Sequence, residues 1–385
     1  MKRIYLDCAA TTPIDPRVVK AMAPFLSDKF GNTMSLHSFG QEAKIALEQS
    51  RQTVADLVGA KPEEIIFTSS ATESNNTALK GIALSFPKGK GARHIIISSI
   101  EHHCIVESAK HLVKNGFEIT KISVDKFGKI NPEDIKNAIR PETILVSIIH
   151  ASNEIGTVQN IAEIGKICRD KKVYFHTDAS QSFGKISIDV KKMNIDLLTA
   201  SSHKIYGPKG AGLLYIREGI EIVPLLHGGG QENGLRSSTV NVPSIVGFAK
   251  AVEICKKEAE KENQKLIKLR DKLTKGILKI KGSHLNGHPK TRLANNVNVR
   301  FDFIEGESLV IQLDMEGIAC STGSACSSAT LEPSHVLLAM GLKPEQAHGS
   351  LRISLGRYTT EKDIDYLLKV LPKIVKRIRD ISPFK

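Results

Sequence analysis

Short apolar runs alternate with segments of helical periodicity through the first two thirds of the chain. Apolar runs typical of buried strands occur at 65–67, 94–99, 118–124, 144–149, 173–177, 197–200 and 212–216. Segments with apolar residues at three-and-four spacing, typical of amphipathic helices, occur at 16–26, 40–58, 69–86, 105–115, 132–139 and 161–171. This alternation predicts an α/β fold in which a mostly parallel sheet is covered by helices on both faces.

The pattern changes after residue 241. One helical stretch with an apolar stripe and a charged face is predicted over 243–280. Shorter elements follow, with strands at 297–301, 318–320 and 351–355, helices at 306–315 and 334–340, and a last helix from about 360. These elements predict a smaller α+β domain. We therefore expect a large domain over 14–255 and a small domain formed by 1–13 and 256–385, with the boundary inside the long helix.

The composition is that of a globular protein with a basic surface. Hydrophobic residues make up 41% and charged residues 25% of the 385 positions, and the net charge is +13. No apolar run is long enough for a signal peptide or a membrane span, so we expect a cytoplasmic protein without a membrane partner. Lysines are mixed with glutamates on helical segments, and aromatic residues total only 5%. Direct nucleic-acid binding is therefore not expected.

The six cysteines are scattered, and none has the spacing of a metal site. We expect no metal centre, and we expect most of the cysteines to pack as small hydrophobic residues, Cys320 among them. Cys326 differs because it lies in a run of small residues over 321–328. This run predicts either a surface loop with an incidental cysteine or a nucleophile on a mobile, solvent-accessible segment.

Polar side chains follow several of the predicted strands, at the point where each strand ends. The carboxyl ends of parallel strands meet at one edge of a sheet, where ligands bind. Lys204 lies in the loop after the strand at 197–200. A lone loop lysine is usually a solvated cation, but among the right partners its amine can form a Schiff base with a carbonyl cofactor. The other polar residues at strand ends are Thr72, His102, Asn153, Asp178, Gln181, Ser201 and His203.

These residue types are the ones that pyridoxal phosphate requires. Lys204 supplies the amine, and Asp178 supplies an acid for the pyridine nitrogen at the end of a buried strand. His102 can stack on the ring. Groups for the phosphate and for the phenolic oxygen of the ring are expected from Ala71, Thr72, Ser201, His203, Asn153 and Gln181. The sequence therefore predicts a pyridoxal-phosphate site at this edge of the sheet.

Ordered motifs along the whole chain resemble those of the cysteine desulfurases, in the class V branch of the fold-type I pyridoxal-phosphate enzymes. The motifs lie at 5–13, 71–75, 101–102, 153–156, 178–181, 203–210, 227–232, 236–239, 323–326 and 351–357. The resemblance implies the fold of those enzymes, with a large cofactor-binding domain and a small domain that carries the mobile catalytic cysteine. It also implies that Lys204, Asp178 and His102 have the roles given above.

The same resemblance implies a homodimer and a substrate site. Thr239 would reach the phosphate bound by the other subunit. Arg352 would clamp the carboxylate of the substrate, with Asn32 and Asn153 nearby.

The resemblance further implies the reaction. L-cysteine is converted to L-alanine while its sulfur passes to Cys326 as a persulfide, with Lys204 and His102 as proton carriers. The long loop is similar to that of the housekeeping branch, which supplies sulfur to iron–sulfur scaffold proteins. In that setting Cys326 could ligate a cluster during transfer. Supply of sulfur for tRNA thiolation is a second use that the sequence leaves open.

Two other readings remain open at this point. Another class V enzyme, an aminotransferase or a selenocysteine lyase, would keep Lys204 and Asp178 without requiring Cys326. A scaffold or RNA-binding protein that kept the fold and lost catalysis would bind no cofactor.

Overall fold

The computed structural model describes residues 3–86, 91, 93–323 and 332–382. The strands are β1 (Ile4–Tyr5), β2 (Ile65–Thr68), β3 (His94–Ser98), β4 (Glu118–Ile122), β5 (Thr143–Ile149), β6 (Tyr174–Asp178), β7 (Leu197–Ser201), β8 (Gly212–Ile216), β9 (Ser283–Asn286), β10 (Asn296–Phe301), β11 (Ile318–Ala319) and β12 (Ser350–Ser354). The α-helices are α1 (Pro16–Met22), α2 (Pro24–Ser27), α3 (Ser38–Val58), α4 (Ala71–Ser85), α5 (His103–Lys114), α6 (Pro132–Ala138), α7 (Ile161–Asp170), α8 (Val242–Ile277), α9 (Gly306–Met315), α10 (His335–Ala339), α11 (Pro344–His348) and α12 (Glu361–Ile381).

The main sheet has the strand order β2-β8-β7-β6-β5-β3-β4 over the described ranges. Strands β3 to β7 pair in parallel, whereas β8 runs antiparallel to both of its neighbours. Every residue of β3, β5 and β7 is buried, because helices cover both faces of the sheet. The prediction of a mostly parallel α/β sheet is confirmed.

Two helices that begin at the carboxyl edge of this sheet are capped by side chains. Ser70 Oγ accepts a hydrogen bond from the backbone N–H of Glu73 at the start of α4, at 3.2 Å. His102 Nδ1 accepts one from the N–H of Cys104 at the start of α5, also at 3.2 Å. The first N–H groups of a helix have no partner within the helix, so these caps determine where α4 and α5 begin.

The remaining strands form two small sheets, which together hold the N-terminal segment beside the last third of the chain. The antiparallel sheet has the order β12-β10-β9, and β1 pairs in parallel with β11. Single bridges join Asp7 to Ser354 and Ser321 to Arg352. The sequence did not predict β9 or α11, because β9 is a short and mostly polar strand and α11 is a single short turn of helix after a proline.

Hydrophobic side chains on the long helix α8 pack into two different clusters. Ile245 and Phe248, in its first half, pack with the residues under the main sheet. Leu266, in its second half, packs with Leu6 and with the strands of the small sheets. The change of partners falls between Cys255, which belongs to the first cluster, and Leu266. The domain boundary after residue 255 stays a prediction.

Candidate active site

Several of the predicted site residues lie at one edge of the main sheet. Asp178 ends β6, Ser201 ends β7, and His102 follows β3 after a turn. Lys204 ends the 3-10 turn that follows β7. Since β3, β5, β6 and β7 are parallel neighbours, their carboxyl ends converge, and the expectation of a shared edge is confirmed for these residues.

The carboxylate of Asp178 is buried and held by three hydrogen bonds. Oδ2 accepts from Asn75 Nδ2 at 2.7 Å. Oδ1 accepts from the backbone N–H of Ser180 at 2.9 Å and from its hydroxyl at 2.5 Å. Only 4% of Asp178 is exposed, so an ion pair made by this carboxylate is little screened by water. The role of Asn75 was not predicted, although the residue stands in the 71–75 motif.

The ring of His102 is neutral, and its tautomer follows from its contacts. Nδ1 accepts the N–H of Cys104, and it lies 3.0 Å from the Sγ of the same residue. A backbone N–H can only donate, so Nδ1 carries no proton and the proton of the neutral ring lies on Nε2. Burial lowers the pKa of His102, and the charge of Lys204 adds to this effect. Cys104 also accepts from Asn75 Nδ2 at 3.1 Å, which links His102 to the partner of Asp178.

The amine of Lys204 contacts the N-terminal segment. Nζ donates to the carbonyl oxygens of Ala9 and Ala10, at 2.7 Å each. Gln181 Nε2 donates to the same oxygen of Ala9, at 2.9 Å. Lys204 and Gln181 therefore meet at one carbonyl group. The sequence did not predict that residues 8–12 would line this site.

The loop around Lys204 is also fastened to the N-terminal segment. The N–H and hydroxyl of Thr12 donate to the carbonyl of His203, at 3.0 and 2.9 Å. The same hydroxyl accepts from the N–H of Tyr206 at 2.8 Å. Tyr206 has φ of +67°, a strained conformation for a bulky residue, and these bonds hold it in place.

The residues predicted to hold the phosphate surround the start of α4. Ala71 is the first residue of that helix, whose N-terminal N–H groups form an anion site. Ser201 pairs with Gly212, which in turn pairs with Thr68 at the end of β2. A side chain at Gly212 would come within 2.7 Å of the backbone of Ser70. Glycine there lets the end of β7 and the start of α4 approach each other.

Several buried polar atoms at this edge lack a hydrogen-bond partner among the described residues, and Ser201 Oγ and Gln181 Oε1 are two of them. His203 Nδ1 lies 3.1 Å from the hydroxyl of Thr11, and burial lowers the pKa of His203 to about 4, so its ring is neutral at pH 7. Buried polar groups are normally paired, so the two unpaired atoms indicate where a ligand binds.

Arg352 is buried in β12 and forms an ion pair. Nη2 lies 2.9 Å from Oδ1 of Asp7, and Nη1 donates to the carbonyl oxygen of Asn153 at 3.3 Å. The hydroxyl of Ser321 donates a hydrogen bond to the other oxygen, Oδ2 of Asp7, at 2.8 Å. The structure therefore brings together Arg352 and Asn153, two of the residues predicted to bind substrate, and adds Asp7, which was not predicted.

Asn32, Thr72 and Thr239 are exposed. Asn32 Oδ1 accepts a hydrogen bond from the N–H of Met34 at 3.0 Å, which is a local turn contact. The resemblance places Thr239 at the site of the other subunit, so a contact within one chain is not expected for it. The roles of Asn32 and Thr239 stay predictions.

Cys326 lies outside the described residues. The thiols of the other cysteines are shielded from solvent, and burial raises the pKa of each one. The pKa rises to about 12 for Cys8, Cys104, Cys255 and Cys320, and that of Cys168 is also raised. These five thiols are therefore poor nucleophiles at neutral pH.

Described residues on either side of the range 324–331 lie near one carboxyl group. Ser334 Oγ donates to Oε2 of Glu154 at 2.5 Å, and a Cβ on Gly323 would lie 3.3 Å from the same oxygen. Burial raises the pKa of Glu154 to about 7. The sequence noted this glutamate only as part of a motif, because nothing local indicates that residues so far apart meet at it.

Glu101, beside His102, is expected to make the stability of the protein depend on pH. It is fully buried, and Oε1 accepts from the hydroxyl of Ser98 at 2.5 Å and from the N–H of Ile149 at 2.8 Å. Burial raises its pKa from 4.5 to about 8. Between these values the folded protein keeps a proton that the unfolded chain loses, so stability falls as pH rises through that window.

We expect Glu101→Gln to remove this loss of stability. Between pH 4.5 and pH 8.5, the free energy of unfolding of the wild type should fall by on the order of 4 kcal/mol more than that of the variant. Urea unfolding at several pH values measures it, with the exposed Glu221→Gln as control. A difference that is the same at every pH would contradict the assignment.

Comparisons with known proteins agree with the geometry of this site. The family model described as Aminotransferase class-V matches residues 4–367. Cysteine desulfurase IscS of Methanosarcina thermophila is 53% identical over 99% of this chain and 94% of its own length. A solved structure titled NifS-like protein has a TM-score of 0.92 at 41% identity and covers 98% of this chain and 100% of that one.

A second solved structure is titled SspA in complex with cysteine. It has a TM-score of 0.83 at 40% identity, and it covers 93% of this chain and 100% of that one. The chain belongs to the aminotransferase class-V family, and within that family to the cysteine desulfurases.

Proposed function

We propose that the protein releases L-alanine from L-cysteine and takes up the sulfur as a persulfide on Cys326, with pyridoxal phosphate held on Lys204. One observation carries the proposal: Lys204, Asp178 and His102 converge at one sheet edge of a chain that is 53% identical to a cysteine desulfurase. The supply of sulfur to iron–sulfur scaffold proteins, and for tRNA thiolation, is part of the same proposal.

The residues present fit pyridoxal phosphate. The unpaired Ser201 Oγ and the N–H groups at the start of α4 suit its phosphate, and the unpaired amide oxygen of Gln181 lies beside the amine of Lys204. The buried carboxylate of Asp178 suits a protonated pyridine nitrogen. When bound, the cofactor withdraws electrons from the substrate and makes its α-proton acidic. Ala71, Thr72, His203, Asn153 and, from the other subunit, Thr239 would complete the cofactor site.

The protein's own groups then move protons and orient the substrate. The amine of Lys204 would hold the cofactor and, once released from it, would carry the α-proton of the substrate. His102 is neutral with its proton on Nε2, so it first takes a proton on Nδ1 after a ring flip, and the imidazolium so formed gives a proton back. Arg352 binds the substrate carboxylate next to Asp7, with Asn32 and Asn153 nearby.

Cys326 is the proposed sulfur acceptor of the first step. Its thiolate attacks the sulfur of the substrate, a sulfur–sulfur bond forms, and the bond from that sulfur to the substrate β-carbon breaks. The electron pair left on carbon takes a proton, which gives alanine. The raised pKa values of the other five thiols support this choice, since none of them is a ready thiolate.

Apolar side chains that are exposed to solvent in the single chain support a homodimer. Leu36 is 93% exposed, and Leu26 and Phe30 are nearly 70% exposed. The rings of Phe30 and Phe39 lie 5.7 Å apart, so these two exposed side chains are adjacent on the surface. Exposed apolar patches of this kind mark interfaces.

Two further parts of the proposal concern the protein that accepts the sulfur and the location of the protein. The net charge of +13 suits an acidic scaffold protein as the sulfur acceptor. Cys326 could ligate a cluster while it passes sulfur on. Among the residues that the structure describes, no helix is both long and apolar enough to cross a membrane. The cytoplasmic location stays a prediction.

The function is tested by incubating the cofactor-loaded protein with L-cysteine and measuring alanine and protein-bound persulfide together. We expect equal amounts of the two in the first turnover. A keto acid with no sulfur transfer would favour an aminotransferase. Turnover of selenocysteine but not of cysteine would favour a selenocysteine lyase.

Asp178→Asn is expected to slow alanine formation by at least about a hundredfold, because a neutral amide cannot stabilise a protonated pyridine nitrogen. The amine of Lys204 is untouched, so borohydride should still trap the cofactor on that lysine. Ser180→Ala, which removes one donor to Asp178, serves as the matched control and should lose far less. Normal turnover by Asp178→Asn would contradict the assignment.

A further inference from the structure

A cavity lies between the two hydrophobic clusters, and neither His102 nor Asp178 lines it. Its volume is about 200 Å³, much more than one water molecule needs. Lys185 and Cys255 line it from the main-sheet side, and Leu355 lines it from the side of the small sheets. A ligand in this cavity would touch both halves of the molecule.

The amine of Lys185 is buried beside this cavity. Its Nζ has no hydrogen-bond partner within the described part of the chain. Burial lowers the pKa of Lys185, and the titratable groups that face it are Cys8, Cys255 and Glu262. The two thiols are neutral because burial raises their pKa to about 12. A buried amine without a partner is costly, so its position needs an explanation.

Glu262, the carboxylate that faces Lys185, is already engaged. Its Oε2 accepts from Nε of Arg357 at 2.8 Å, and Nη1 of the same arginine lies 2.6 Å from Asp15. Arg292 also lines the cavity, and its guanidinium bonds only to neutral oxygen atoms among the described residues. Two buried basic groups on this cavity, Lys185 and Arg292, therefore lack a carboxylate partner in the part of the chain described.

We propose that this cavity binds a small carboxylate with an apolar body, and that its carboxylate group pairs with the amine of Lys185. A carboxylate beside the unpaired amine favours its protonated form, so the two groups pair as ions when the ligand is bound. Leu266, Leu293 and Leu355 supply apolar surface for the rest of the ligand. Lys204 borders this cavity, but His102, Asp178 and Arg352 do not line it.

Isobutyrate is a suitable probe. Isobutyramide has nearly the same shape but carries no charge, so it serves as the control ligand. Binding of each to the cofactor-loaded protein is measured by calorimetry, for the wild type, for Lys185→Met and for the exposed control Lys191→Met. We expect the wild type and Lys191→Met to bind isobutyrate equally. We expect Lys185→Met to bind it at least tenfold more weakly, and isobutyramide to bind at least tenfold more weakly than isobutyrate.

A crystal of the wild-type protein soaked in bromide locates the anion without any substitution. An anomalous peak within contact distance of Lys185 Nζ supports the proposal. Bromide only at other places, equal binding of isobutyrate by Lys185→Met and the wild type, or equal binding of acid and amide would each overturn it. Methionine fills the space of lysine without an unpaired amine, so we expect the variant to fold.

Discussion

Lys204→Ala is expected to lower the rate of alanine formation from L-cysteine by at least about a thousandfold, since the variant can neither attach the cofactor nor carry the α-proton. The structure positions this amine firmly, because the carbonyl oxygens of Ala9 and Ala10 each accept from it at 2.7 Å. Both bonds come from a segment far away in the sequence, so the N-terminal segment helps to orient the amine.

The measurement combines turnover with borohydride treatment and mass spectrometry. The wild type should carry the reduced cofactor on the peptide that contains Lys204, and the variant should carry none there. Lys209→Ala is the matched control, because Lys209 is an exposed lysine in the same loop. The Lys209→Ala protein should keep its turnover and should still carry the reduced cofactor on the peptide that contains Lys204. Full activity in Lys204→Ala would exclude the proposed mechanism.

Cys326→Ala is expected to abolish the protein-bound persulfide and to slow alanine formation from L-cysteine by at least about a hundredfold. In the proposed step the sulfur leaves the substrate toward a nucleophile, and a thiolate is the strongest nucleophile that the chain offers. The described thiols are buried and their pKa values are raised, so they cannot take over.

Cys320→Ala is the matched control for this variant. Cys320 lies only six positions before Cys326 in the sequence, but it is buried in the hydrophobic cluster of the small sheets. Its replacement should leave the persulfide on Cys326 and change turnover by no more than a few fold. The Cys326→Ala protein is also given selenocysteine, which a lyase would process without the thiol. Undiminished release of sulfide from L-cysteine by Cys326→Ala would disprove the persulfide route.

Much of the fold could be predicted because its elements are strongly periodic. Strands β3 and β5 are continuous apolar runs, and α4 and α5 between strands show helical spacing. The residues at which α4 and α5 begin were less predictable, because residues near Ser70 and His102 could also start a helix. β9 was missed because a four-residue polar strand has no apolar pattern of its own and is formed only by pairing with β10.

The site was predicted where a single residue carries a distinctive chemical role. Lys204, Asp178 and His102 follow apolar strands, and parallel strands must bring such positions to one edge. The partners of these residues were not predictable, because Asn75, Cys104 and the carbonyl oxygens of Ala9 and Ala10 are ordinary groups. They acquire a role only through distances that the fold creates.

The sequence by itself therefore determined the class of fold, the sheet edge at which the candidate residues meet, and the residue types from which a carbonyl-cofactor site and a sulfur acceptor are proposed. These features follow from local periodicity and from side-chain chemistry, which the sequence contains directly. Only the tertiary structure decided that Arg352 pairs with Asp7, that the N-terminal segment holds Lys204, and that the amine of Lys185 is buried beside a cavity. Such contacts join residues that are hundreds of positions apart or depend on the shape of a space between elements, and no local pattern records them.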